Sequence, residues 1–139
     1  MKNLNKAALL SLVALTLIAA PSAWAADRMK SGQWEMTTTA RGKAHTSTHC
    51  VAPQEVKDIN GTPAELRAFI EKTTTAAHCT VQNFKTQGDT VSYTTACMGL
   101  SSDSTTSYHG DSYEMVITSK GASKSETRQV KARRLGACP

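Results

Sequence analysis

The chain has 139 residues, 16 of them Lys or Arg and 11 Asp or Glu, for a net charge of +5, and only 5% of it is aromatic. That length suits one domain. Too few aromatics are spread among the basic residues for a nucleic-acid stripe, and no segment reaches the 18 apolar residues of a membrane span.

The first 25 residues read as a secretory leader. Lys2 and Lys6 open it, Ala7 to Ala20 form a short apolar run, and Pro21-Ser22-Ala23-Trp24-Ala25 supplies the breaker and the small-x-small cleavage pattern. The expected mature chain is 26–139, soluble and periplasmic, with no lipid-anchor cysteine. It is poor in Leu, Ile, Val and Phe and rich in Ser and Thr, a composition that favours disorder unless something else holds the chain together.

Trp34, Met36, Thr38 and Ala40 alternate with Glu35, Thr37, Thr39 and Arg41, the period of a strand with one drier face. Gly42 punctuates, and Lys43 to Cys50 returns as a second, Thr-rich strand. A short helical turn is expected after Pro53, ending at Asn60-Gly61. Thr62-Pro63-Ala64-Glu65 combines a capping hydroxyl, proline at the first helical position and glutamate three residues after the cap, so a helix is predicted over 63–75. Leu66, Phe69 and Ile70 share its apolar face and are expected to meet Trp34, Met36, Val91, Tyr93, Tyr113, Met115 or Ile117.

Beyond the helix the period returns to two. Cys79–Lys85 and Asp89–Cys97 flank Gln87-Gly88 as a hairpin, Ser101–Ser104 reads as a loop, and Thr105–His109 with Ser112–Lys120 forms a second hairpin about Gly110-Asp111. Ser125–Leu135 is the last strand, read as an edge guarded by charge because Lys120, Lys124, Arg128, Lys131, Arg133 and Arg134 crowd it. The predicted fold is mainly β: an antiparallel meander of about seven strands, curled into a barrel-like or sandwich-like sheet, with one inserted helix.

Cys50, Cys79, Cys97 and Cys138 form an even set in an exported chain, which reads as two disulfides. Folding the first hairpin about Gly88 sets Cys79 opposite Cys97 and leaves Cys50 for Cys138; the rival bridge Cys50–Cys79, clipping the helix at both ends, also fits the spacing. Zinc and redox spacings are absent, and no metal or cofactor is expected. On one strand face His45 and His49 lie ~13 Å apart, too far for one ion. Ser107, His109 and Asp111 stand close together, but a chain this rich in serine brings such residues together by composition alone and has no Gly-x-Ser-x-Gly turn, so no catalytic residue is assigned. Asn60-Gly61-Thr62 matches a glycosylation sequon, and the turn plus helix cap accounts for the same residues.

Ser31-Gly32-Gln33-Trp34-Glu35, His49-Cys50-Val51-Ala52-Pro53-Gln54-Glu55, the Cys79…Cys97 hairpin, Gly110-Asp111-Ser112-Tyr113-Glu114 and Arg133-Arg134-Leu135-Gly136-Ala137-Cys138-Pro139 together resemble the proteobacterial family designated domain of unknown function 3617. Ser31 and Gln33 depart from the family's usual Pro-Gly-Leu-Trp-Glu opening. The resemblance implies an exported, cysteine-bridged domain, without an established reaction. More distantly, Gly-x-Trp with a C-terminal arginine resembles the lipocalin barrel, which implies a contact between Trp34 and Arg133 or Arg134. The expected function is a non-catalytic module for a small ligand or an envelope partner, bound through the sheet surface. The alternatives are a lipocalin-like carrier of an apolar molecule and, third, a hydrolase.

Overall fold

The computed structural model describes residues 27–139; the expected leader lies outside them. Seven strands and two helices follow in the order β1 (Gly32–Ala40), β2 (Lys43–Val51), α1 (Pro53–Ile59), α2 (Pro63–Thr75), β3 (Cys79–Gln87), β4 (Thr90–Cys97), β5 (Leu100–Tyr108), β6 (Ser112–Lys120) and β7 (Ser125–Gly136). All seven strands form one antiparallel sheet in the order β2-β1-β7-β6-β5-β4-β3. Edge strands β2 and β3 do not pair, so the sheet stays open and curled and does not close into a barrel.

The helix over 63–75 forms as its cap dictates. The Thr62 hydroxyl oxygen accepts from the Glu65 amide, and Glu65 Oε2 accepts from the Thr62 amide at 2.8 Å. These bonds satisfy two of the amides a helix start leaves unpaired, and donation from the Thr62 amide and then from its hydroxyl holds the Glu65 carboxyl below its usual range. The turn expected after Pro53 is a full short helix, α1, so two helices stand where the meander was expected to carry one.

Both helices lie against the face that carries Trp34, Tyr113 and Val91. One apolar cluster joins Met29, Trp34, Val51, Ile59 and Ala132; a second joins Leu66, Ile70 and Val91. Phe69 and Tyr108 touch both. Leu66 and Ile70 thus meet Val91 and Tyr93, and Phe69 reaches the Trp34 cluster, within the expected set.

Two strand expectations are corrected. Ser101–Ser104 is not a loop but the first half of β5, and the turn is Met98-Gly99. A serine-rich segment holds as a strand here because β4 and β6 pair with it on both sides; across it the Ser102 and Ser119 hydroxyls bond at 2.8 Å, and the Asp103 carboxylate accepts from the Thr94 hydroxyl at 2.8 Å. Strand β7 is interior, between β1 and β6, and is no edge. Its cations find acids on neighbouring elements and on β7 itself: Arg133 with Glu35 at 2.8 Å, Lys131 with Glu114 at 3.4 Å, and Arg128 with Glu126 at 3.4 Å.

The cysteines pair as Cys50–Cys138 and Cys79–Cys97. The first ties edge strand β2, across β1, to the chain end beyond β7. The second depends on an irregularity. From the turn, Gln87 pairs with Thr90 and Lys85 with Ser92, a register that would set Thr80 opposite Cys97. Between Gln82 and Lys85 the register shifts by one, because two residues on β3, Asn83 and Phe84, oppose Tyr93 alone. This is a β-bulge. It brings Cys79 opposite Cys97, so the pairing expected from symmetry about Gly88 arises from a Gly88-Asp89 turn plus the bulge.

Candidate functional site

The bulge also shapes the face of the sheet that the helices leave uncovered. Asn83 sits at φ 53°, left-handed backbone that side-chain-bearing residues adopt at a cost and that asparagine tolerates best. From there its Nδ2 donates to Thr94 Oγ1 at 3.4 Å. The Thr94 hydroxyl donates to Asp103 Oδ1 at 2.8 Å, and Lys120 Nζ donates to Asp103 Oδ2 at 3.3 Å. A single polar row therefore crosses β3, β4, β5 and β6. Beside it lies a groove of about 200 Å³ lined by Asn83, Lys85, Ser92, Thr94, Asp103 and Thr105, among others.

Bonds from the Thr94 hydroxyl and from Lys120 hold the Asp103 carboxyl below its usual range, with the Lys120 charge adding to them. Asp103 is thus a carboxylate at neutral pH, an acceptor and a fixed charge, not a proton donor. The row offers hydroxyl, carboxamide, carboxylate and ammonium groups on an open surface, a set suited to a polar, hydroxyl-bearing ligand. Exposed pairs of this kind add ~0–1 kcal/mol each to stability. A second crevice, about 290 Å³, runs between Asp58 on α1 and Glu65, Ala68, Phe69 and Lys72 on α2.

Trp34 is 0% exposed. Its Nε1 donates to the Lys30 carbonyl at 2.9 Å, and its ring packs on Tyr113 with centroids 5.7 Å apart. The register sets Arg134 opposite Trp34, with Arg134 Nε donating to the Ser31 carbonyl at 2.7 Å. Arg133 lies opposite Glu35 on the uncovered face and pairs with it. Strand β7 separates Glu35 from Glu114, each facing its own cation.

His45, opposite Thr38, and His49, opposite Trp34, are both exposed, as are His78 and His109. Among the described residues no cluster of three His, Cys, Asp or Glu has the geometry to hold a metal ion. Asn60 is engaged by the chain itself: Oδ1 accepts from the Met29 amide at 2.9 Å and Nδ2 donates to the Met29 carbonyl at 2.8 Å.

Sequence reasoning missed the row of Asn83, Thr94, Asp103 and Lys120, since these residues meet only through strand order and a bulge. No helix among the described residues is long and apolar enough to cross a membrane.

The fold is thus a single open antiparallel sheet, covered on one face by two helices and stapled by two disulfides, with a hydroxyl-rich second face. Residues 29–138 match the family described as protein of unknown function DUF3617, and the chain belongs to it. No curated protein and no solved structure matches the chain.

Proposed function

We infer that the first 25 residues direct export and that residues 26–139 serve in the periplasm as a non-catalytic binding module, holding a small polar ligand or an envelope component on the uncovered sheet face. The observation that carries this reading is the bulge at Asn83. The extra residue of β3 strains the backbone and spoils the ladder locally, yet a hairpin one residue shorter would pair the same cysteines without it. Bulges that serve no folding need are retained where they aim a side chain, and this one aims Asn83 at Thr94. Two disulfides suit an oxidising compartment. The ionised Asp103 gives that face a fixed negative charge and an acceptor.

Native mass spectrometry of the protein released from its own envelope tests the reading. Expected is an added mass or a co-released partner that Asp103→Asn or Thr94→Val removes while both disulfides stay intact. A bare protein, or an added mass indifferent to both substitutions, overturns it. Turnover abolished by a single polar substitution would replace it with an enzymatic reading.

A further inference from the structure

Three hairpins stand side by side in this sheet, β1–β2, β6–β7 and β4–β5, and the strand order points all three tips to the same end, roughly 10 Å apart at two strand spacings each. The residues at two of these tips are not those a tight turn favours. Arg41 and Gly42 have φ of 50° and 72°, and Met98 and Gly99 have φ of 36° and 85°. Turns with both central residues left-handed favour Asn-Gly or Asp-Gly. Arginine and methionine hold the asparagine position here, at a conformational cost.

Met98 is 94% exposed and Leu100 44%. Leu100 extends toward the neighbouring tip, where a β-carbon on Gly121 would meet its Cδ1 at 3.7 Å. The apolar pair therefore adjoins Lys120 and Lys124. The same end carries Arg41, Lys43 and Arg128. Its acids are already engaged: Glu126 with Arg41 at 2.6 Å and with Arg128, and Asp103 with Lys120. Lys43 and Lys124 have no carboxylate partner among the described residues. The end is thus a row of protruding tips, apolar at one hairpin and with uncompensated positive charge at the others.

We propose that this end docks on the surface of an anionic bilayer, Met98 and Leu100 entering the headgroup–acyl boundary while Lys43 and Lys124 meet lipid phosphates. Apolar side chains flanked by lysine are the combination that interfacial attachment requires, with charge supplying attraction and the apolar tip supplying depth. The inference goes beyond ligand binding on the uncovered face. It explains why a costly methionine occupies a turn where its side chain stands free in solvent.

The test is co-sedimentation of the full protein, disulfides intact, with vesicles of phosphatidylglycerol and phosphatidylethanolamine and with vesicles of phosphatidylcholine alone, at low and high salt. Expected is binding to the anionic vesicles that weakens in salt. Met98→Asn suits the turn better, so it raises the melting temperature while lowering vesicle binding about tenfold or more. Lys43→Glu with Lys124→Glu lowers binding by more than tenfold. The variants share any leader that remains, so the differences read the tips alone. Thr94→Val, an uncharged change in the polar row away from the tips, binds vesicles like the wild type, which keeps this result separate from ligand binding. No binding to anionic vesicles, equal binding to neutral ones, or full binding by Met98→Asn overturns the proposal. Capture of an acidic protein by the tips without vesicle binding overturns it as well.

Discussion

Arg28 donates from Nη1 to the carbonyl oxygen of Ile59 at 2.9 Å, and from the same nitrogen to that of Gly61 at 3.0 Å. The guanidinium is almost wholly buried, 3% exposed, and no carboxylate faces it among the described residues. It closes the C-terminal end of α1, where helix carbonyls lack partners and the helix dipole favours a cation. Met29 and Lys30 continue alongside Gly110 through a bridge and a backbone bond, so the start of the domain is sewn to both a helix and the β5–β6 turn. Arg28→Ala leaves two buried carbonyls unpaired, and the expected loss is about 2–4 kcal/mol in urea unfolding. Arg28→Lys recovers part of it. A change in Arg28→Ala below ~0.5 kcal/mol would remove this capping role.

The disulfides carry stability that the small apolar clusters lack. Their sequence separations, 88 and 18 residues, correspond in the chain-entropy model to roughly 4–5 and roughly 3 kcal/mol. Replacing Cys50 and Cys138 with alanine is expected to lower the melting temperature more than replacing Cys79 and Cys97, and full reduction more than either. Calorimetry of the four forms checks the order. Equal melting of reduced and oxidised protein would return the burden of stability to the core.

Asn83 makes a separate prediction. Its deletion leaves eight residues on β3 against eight on β4, in unbroken register, with Cys79 still opposite Cys97. Expected is a folded protein with no free thiols and with the ligand or partner lost. Asn83→Val, a β-branched residue forced into left-handed backbone, is expected to destabilise by about 1–3 kcal/mol, and Asn83→Gly to be tolerated. Thiol titration with thermal melting separates these outcomes; free thiols in the deletion would contradict the register.

The chain has three tyrosines, Tyr93, Tyr108 and Tyr113, and burial raises all three hydroxyls above their ordinary range. Tyr108 is pushed up to about 12, by burial first and by neighbouring Tyr93 and Tyr113 next, against a smaller opposing pull from Arg28. Between about pH 10 and 12 the unfolded chain loses a proton that the folded chain keeps, so stability falls as pH rises through that window and is whole below it. For Tyr108 the loss is of the order of 2–3 kcal/mol. Phenolate absorbance of the folded protein should therefore appear only above the range of free tyrosine. Tyr108→Phe should flatten the alkaline fall in stability; ionisation at the ordinary value would deny the burial.

Local chemistry was readable wherever neighbours in sequence are neighbours in space. The capping box at Thr62 and Glu65, the alternation of Trp34 and Met36 with Glu35, and Tyr113, Met115 and Ile117 on one face all follow from periods of 3.6 and 2. The serine-rich start of β5 was not readable, because its extended form comes from two flanking strands and not from its own side chains.

What the amino-acid order alone determined is the set of parts: hairpins, a capped helix, an even set of four cysteines and a shortage of apolar side chains, each legible from composition or from residues a few positions apart. The tertiary structure alone decided that β7 lies inside the sheet between Glu35 and Glu114, that Arg28 is buried against α1, and that Asn83, Thr94, Asp103 and Lys120 form one row. Strand order is a choice among long-range pairings, and a period of two specifies which face a residue takes without specifying which strand stands beside it.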